Sequence, residues 1–252
     1  MTKRKRYLRQ ISPDNPGRIE GRHDTSIAVI NNRRTPRGIK LLAKAQRTQK
    51  RIIWRDLPQI PLPLRQAVVS VEDERFYQHK GIDIRGIARA ILQNIRYGRQ
   101  VQGGSTITQQ LAKNILLTQE KTFRRKLVEV SYAIRIERQY TKDQILEMYL
   151  NDIYFGQGAY GVESAAQTYF GRSVKELSLE QLALLAGLPK GPEYFSPFTH
   201  PKRAIERRNT VLTVMKQHGI VSSQQLTELT ARPLATLSQP GVATRGSYFA
   251  DY

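Results

Sequence analysis

The chain of 252 residues contains no cysteine, which excludes a disulfide scaffold and thiol catalysis and leaves the compartment open. It also lacks a long hydrophobic run. The longest, Leu182 to Leu188, is far below the roughly 20 residues that span a bilayer, so nothing in the sequence reads as a transmembrane helix. Met1-Thr-Lys-Arg-Lys-Arg6 resembles the basic start of a signal peptide, but no apolar segment follows it. Strand-like alternation is nearly missing and no internal repeat is visible, which argues against β-sandwich and solenoid classes. Acidic residues are scarce: 21 Asp and Glu stand against 41 Lys and Arg, a formal charge of +20. The imbalance is concentrated in residues 1–55, where 16 Lys and Arg face only Asp14, Glu20 and Asp24, a net of +13. Such a field favours an anionic partner, whether nucleic acid, an anionic lipid surface or a phosphorylated substrate.

What is present fits one large domain with extensions, since 39% hydrophobic and 8% aromatic residues allow a core. Residues 1–57 read as a basic, poorly structured arm, interrupted by Pro13, Pro16, Gly17, Gly21, Pro36 and Gly38. Within it, Thr25 to Ile30 fits a short strand and Ile39 to Lys50 a basic helix. The arm suits acidic lipid or nucleic acid, and equally a solvated tail. Pro58, Pro61 and Pro63 then predict an extended entry to the main domain.

The stretch Val68 to Gly81 places Glu72, Asp73 and Glu74 after an apolar run and ahead of Phe76, Tyr77 and His79. Read as one helix from Leu64 to His79, it sets Glu72, Phe76 and His79 on a shared face, with Gly81 as the stop. A carboxylate on the apolar side of a helix is costly unless it is paired or used. The plain alternative is a solvated acidic cluster at the end of a core helix. Arg85 to Tyr97 predicts a second helix, striped by Ile87, Ala88, Ile91, Leu92 and Ile95. For Ile87 and Ile91, packing in the core is the favoured expectation.

Gly103-Gly104-Ser105-Thr106 then leads into a helix, and Thr106 with Gln109 fits a capping box. Exposed N–H groups there predict an anion or carbonyl-oxygen site, although this is not a phosphate-binding P-loop. Thr122 to Gln139 reads as a long helix in which Arg125 and Lys126 fall four and three residues before Glu129. That arrangement is either a surface ion-pair ladder or a carboxylate among cations that also grip phosphate. Thr141 with Gln144, Ser178 with Gln181 and Ser222 with Gln225 mark three further helix starts, the last helix ending near Ala231. A turn rich in glycine (Gly156, Gly158, Gly161), a small-residue helix Glu163 to Phe170 and a helix opened by Pro201 lie between.

Five blocks therefore stand in order: Glu72-Asp-x-x-Phe76-x-x-His79-x-Gly81; Gly104-Ser-Thr-Ile-Thr-Gln-Gln110-x-x-Lys113; Arg125-Lys126-x-x-Glu129; Lys142-x-x-Ile145-Leu146-x-x-Tyr149-Leu150-Asn151; and Arg207-Arg208-x-x-Val211-Leu212. Together they resemble the signature motifs of the family 51 peptidoglycan glycosyltransferases, the polymerase domain of class A penicillin-binding proteins and of monofunctional transglycosylases. The resemblance covers residues 58–231, with residues 232–252 as a linker-like tail, and no motif position departs from the pattern.

The resemblance implies a mainly α, lysozyme-like globular lobe with a smaller membrane-contacting jaw. It implies lipid II and the growing glycan chain as substrates, Glu72 as general base and Glu129 as a second catalytic carboxylate. Lys113, Lys121, Arg125 and Lys126 become candidates for the pyrophosphate. Ser105, Thr106, Gln109, Gln110, Asn151 and Arg207 become candidate sugar or phosphate contacts. No cofactor is required on this reading; Mg2+ or Mn2+ is an optional aid at the pyrophosphate, and no dedicated metal-ligand set is visible. His79 is read as a structural hydrogen-bonding residue and Asp73 as a local cap or pair. The implied place is the outer face of the bacterial cytoplasmic membrane, peripheral for this chain, with an anionic membrane surface and other cell-wall synthesis proteins as partners and no nucleic acid. The residues from Gly246 to Tyr252 resemble a linker into a transpeptidase domain, while Ser-x-x-Lys and Lys-Thr-Gly are absent from the sequence. Two rival classes are a basic nucleic-acid-binding protein, supported by charge but by no binding motif, and a lysozyme-like hydrolase of the glycan.

Overall fold

The computed structural model describes residues 53–97, 104–116 and 123–237. The strand expected at Thr25 to Ile30, the basic helix expected at Ile39 to Lys50, Lys121 and the tail from residue 238 lie outside the described residues. Among the described residues the protein is mainly helical and has no strand, only one antiparallel bridge between Tyr154 and Tyr160. The chain divides into two compact units: one takes the residues up to Leu57 and Glu72–Ile153, the other Pro58–Val71 and everything from Tyr154.

Helix α1 (Leu62–Glu72) belongs to the second unit except for its last residue, Glu72. Its prolines do not make the extended entry that the sequence predicts. Leu57–Gln59 forms a 3₁₀ turn, and Pro63 sits in the first turn of α1, where a missing N–H leaves no bond unmade. Nor does α1 continue to His79. It stops at Glu72, and a 3₁₀ turn, Phe76–Gln78, follows, so Glu72, Phe76 and His79 do not share a helical face. The physical reason is Asp73, whose carboxylate is claimed by groups outside the helix: both oxygens by His79 Nε2, at 2.9 and 3.0 Å, and Oδ2 also by the Ile107 N–H at 2.9 Å. The Gly81 N–H donates to His79 Nδ1 at 3.1 Å, which makes Nε2 the protonated, donating nitrogen.

In the first unit, Asp83 starts α2 (Ile84–Tyr97) by accepting the Gly86 N–H at 2.9 Å on its side chain. Arg75 pairs with the same carboxylate. Helices α3 (Ile107–Leu116), α4 (Phe123–Gln139) and α5 (Lys142–Asp152) pack against one another. Ile107, Leu111 and Ala112 from α3, Ala133 and Ile136 from α4, and Ile145, Leu146 and Leu150 from α5 build the core. Seven consecutive residues of α5, Ile145 to Asn151, are buried, so this helix is covered on all sides. Gly81, expected to end a helix, marks a close crossing. At φ +93° a Cβ there would lie 3.2 Å from the Ala133 carbonyl, and the Gly81 carbonyl accepts the Thr106 hydroxyl at 2.7 Å.

In the second unit, α6 (Val162–Phe170), α7 (Leu179–Gly187), α8 (Pro201–Gln217) and α9 (Ser223–Ala231) follow the glycine-rich turn. Helix α7 packs on α8, and α9 packs against both. Arg208 is almost fully buried and donates to the carbonyls of Thr230, Arg232 and Pro233, closing the C-terminal end of α9.

Candidate active site

Asp73 fixes where the site forms. Because its carboxylate accepts the first N–H of α3, the start of α3 is held beside Glu72 and Asp73. The Thr106 hydroxyl accepts the Gln109 N–H at 3.1 Å while the Gln109 side chain accepts the Thr106 N–H at 3.0 Å, the capping box that the sequence predicts. Both residues are buried and both side chains are committed to this cap. Two of the amides at this terminus are filled from within the protein: the N–H of Ile107 by the Asp73 carboxylate and that of Gln109 by the Thr106 hydroxyl.

One turn into α3, Gln110 reaches Glu72. Its Nε2 donates to Glu72 Oε2 at 2.9 Å, and its Oε1 accepts the Tyr149 hydroxyl of α5 at 3.1 Å. Glu72 and Gln110 are half-buried and Tyr149 is fully buried. Burial, then the charges of Glu72 and Asp73, push the Tyr149 phenol well above its ordinary pKa, so it remains a protonated donor.

The second carboxylate, Glu129 on α4, is buried and held by two cations. Arg125 Nε lies 2.9 Å from Oε1 and Lys126 Nζ 3.1 Å from Oε2. Lys126 also donates to the Ser105 hydroxyl at 3.2 Å, joining α4 to the entry of α3. Ser105, Arg125, Lys126 and Glu129 are thus brought together, and Lys126 keeps 44% of its side chain exposed. Lys113 is exposed on α3. A divalent ion at Glu129 does not fit this donor set, because the carboxylate is already neutralised by two positive groups.

Two expected contact residues carry hydrogen bonds within the protein. Asn151 is fully buried: it accepts the Arg55 N–H at 2.7 Å and donates to the carbonyls of Arg55 and Glu147, both at 2.8 Å. With Glu147, which accepts from Trp54 Nε1 and the Leu57 N–H, it pins residues 54–57 to α5. Residues at the end of the expected loose arm are therefore held in place. Arg207 is buried in the second unit, where its Nε donates to the Gly187 carbonyl at 3.0 Å and its guanidinium lies over the Phe195 ring. Sequence reasoning gave no role to Tyr149, although it stands in the fourth block; it took Asp73 for a local cap or pair, and the pair with His79 is there, while the bond to Ile107 was not foreseen. Glu137, which accepts from Thr108 and Lys142 and so ties α3, α4 and α5, left no signal at all.

The helices thus hold one carboxylate, Glu72, by an amide and another, Glu129, by two cations. The chain belongs to the transglycosylase family, whose model matches residues 38–216. It is 50% identical to penicillin-binding protein 1A of Aquifex aeolicus over 203 residues, which covers 81% of this chain and 28% of that protein. It is 49% identical to penicillin-binding protein 1F of Bacillus subtilis over 176 residues, covering 70% of this chain and 25% of that protein. With penicillin-binding protein 1A of Escherichia coli it shares 46% identity over 208 residues, covering 82% and 24%. The chain therefore spans about a quarter of the length of the curated relatives it matches.

Proposed function

We propose that this chain polymerises lipid II into the glycan strands of peptidoglycan, with Glu72 as general base. The observation that carries the reading is the half-buried Glu72 carboxylate, held by an amide donor within the segment that the family model matches. In the reaction, the 4-hydroxyl oxygen of the acceptor's N-acetylglucosamine bonds to the anomeric carbon of the growing chain's terminal N-acetylmuramic acid. Its proton passes to Glu72. The bond from that carbon to the pyrophosphate oxygen breaks, and undecaprenyl pyrophosphate leaves with the electron pair, so the α-linked donor becomes a β-1,4 product. Arg125 and Lys126, with the exposed Lys113, supply positive charge for the leaving pyrophosphate, and Glu129 holds the first two in place. These cations favour polymerisation over hydrolysis of the glycan, which has no pyrophosphate to stabilise.

The same reading takes α2 and α3 as the membrane-facing jaw, at the outer face of the bacterial cytoplasmic membrane. Its support is the apolar stripe of α2, where Ile84, Ile91, Leu92 and Ile95 are all more than half exposed. Ile91, expected in the core, is 53% exposed. Arg85, Arg89 and Arg96 interleave with the stripe, a pattern suited to the headgroup layer.

The test is polymerisation of lipid II by the whole chain. Glu72→Gln keeps the shape and removes the base, and its rate is expected to fall by about 10²–10⁴-fold with the fold unchanged by circular dichroism. A variant that retains more than about a tenth of the wild-type rate overturns the assignment of Glu72.

A further inference from the structure

We propose that Tyr149 is a positioning residue for Glu72, acting through the side-chain amide of Gln110; this rests on the reading of Glu72 as the base. An amide offers a donor on one side and an acceptor on the other, and which side meets a neighbour depends on what holds the opposite end. Here the carboxylate selects the NH₂ end and the Tyr149 hydroxyl, donating to Gln110 Oε1, clamps the other end, so the amide is held at both sides with its NH₂ on Glu72 Oε2. A donating N–H can meet only a lone pair, so Oε2 is kept proton-free and the carboxylate plane is set. The proton taken from the acceptor hydroxyl then falls to Oε1. Without the phenol hydroxyl the amide oxygen loses the donor that holds it, and the place and angle of the NH₂ beside Glu72 are no longer fixed.

Each end is anchored. Tyr149 is 0% exposed and sits in the central helix of its unit. Gln110 is carried on α3, whose first turn Asp73 fixes beside Glu72. Burial, then the charges of Glu72 and Asp73, hold the proton on Tyr149, so its hydroxyl remains a donor. Since Tyr149 has no exposed surface, it cannot touch substrate, and its effect must travel through the amide.

Tyr149→Phe in the whole chain removes only the hydroxyl. The expected result is kcat on lipid II lower by about tenfold or more, with KM within twofold and the circular dichroism melt still cooperative above assay temperature. The double variant Tyr149→Phe with Gln110→Leu is expected to be no slower than Gln110→Leu alone, because both interrupt one path. Wild-type kcat in Tyr149→Phe, or a loss that multiplies with that of Gln110→Leu, overturns the proposal. Should Tyr149→Phe be unfolded at assay temperature, Gln110→Leu at its half-exposed position decides: a folded protein with reduced kcat supports the relay, and wild-type kcat overturns it. Glu72→Gln in the same assay separates the two readings. Full activity there removes the base itself, whereas an inactive Glu72→Gln beside a normal Tyr149→Phe removes the relay alone.

Discussion

At the scale of single residues, burial separates side chains open to solvent from those whose polar atoms are spent inside the protein. Asn151 and Arg207 both fall in motif blocks, and both are buried with their polar atoms on backbone carbonyls or amides. For Asn151 the expected consequence of truncation is structural. Asn151→Ala strands the Arg55 N–H and carbonyl, and leaving such groups unpaired costs on the order of 2–3 kcal/mol. Urea unfolding should show a lower midpoint at unchanged slope, while KM for lipid II in the folded protein stays at the wild-type value. A raised KM with an unchanged midpoint would instead make Asn151 a substrate contact. Lys126 is the opposite case, with a side chain nearly half exposed beside Ser105 and Glu129.

At the scale of elements, helix starts and most helix ends were readable, Tyr97, Gln139, Phe170 and Ala231 among them, and the end of α1 was not. Thr106, Thr141, Ser178 and Ser222 each precede a helix as predicted, because each cap is closed by a glutamine three residues on and is complete within one turn. The end of α1 was misplaced because Asp73 has its partner on α3, where no periodicity points to it. Helix α2 is the element whose surface most needs a partner, and it carries a prediction. Replacing Ile91, Leu92 and Ile95 together by serine removes side chains that are 53%, 69% and 73% exposed, so folding stability should move by no more than about 0.5 kcal/mol. Partition onto vesicles at high salt, where the apolar term dominates, should fall by about tenfold or more if these side chains enter the headgroup layer. Unchanged partition in a sedimentation assay would remove α2 from the membrane face.

At the scale of the whole molecule the dominant property is charge. A formal +20, most of it in the first 55 residues, should draw the protein to anionic vesicles in preference to neutral ones at low salt. Screening shortens that attraction to about 10 Å at 0.1 M salt and about 3 Å at 1 M, so high salt should abolish the preference. Deleting residues 1–52 should mimic high salt. The deletion stops there because Trp54, Arg55 and Leu57 are bound to α5, and removing them would disturb Glu147 and Asn151 as well. Equal binding to neutral and anionic vesicles at low salt would show that the arm makes no such contribution. No described helix is long and apolar enough to cross a membrane.

The amino-acid sequence by itself determined the helical class, four capped helix starts, the Arg125–Lys126–Glu129 cluster and the order of the motifs. All of these depend on interactions within one or two turns, or on residue identity alone. The tertiary structure decided which motif residues meet. Glu72 finds Gln110 across 38 residues, Asp73 finds Ile107 across 34, and Asn151 finds Arg55 across 96. Pairings over such separations form only when helices pack, and each one adds a contact its residue type does not announce: a carboxylate expected to cap or pair locally also holds the next helix, and a tyrosine with no assigned role holds the amide that meets Glu72.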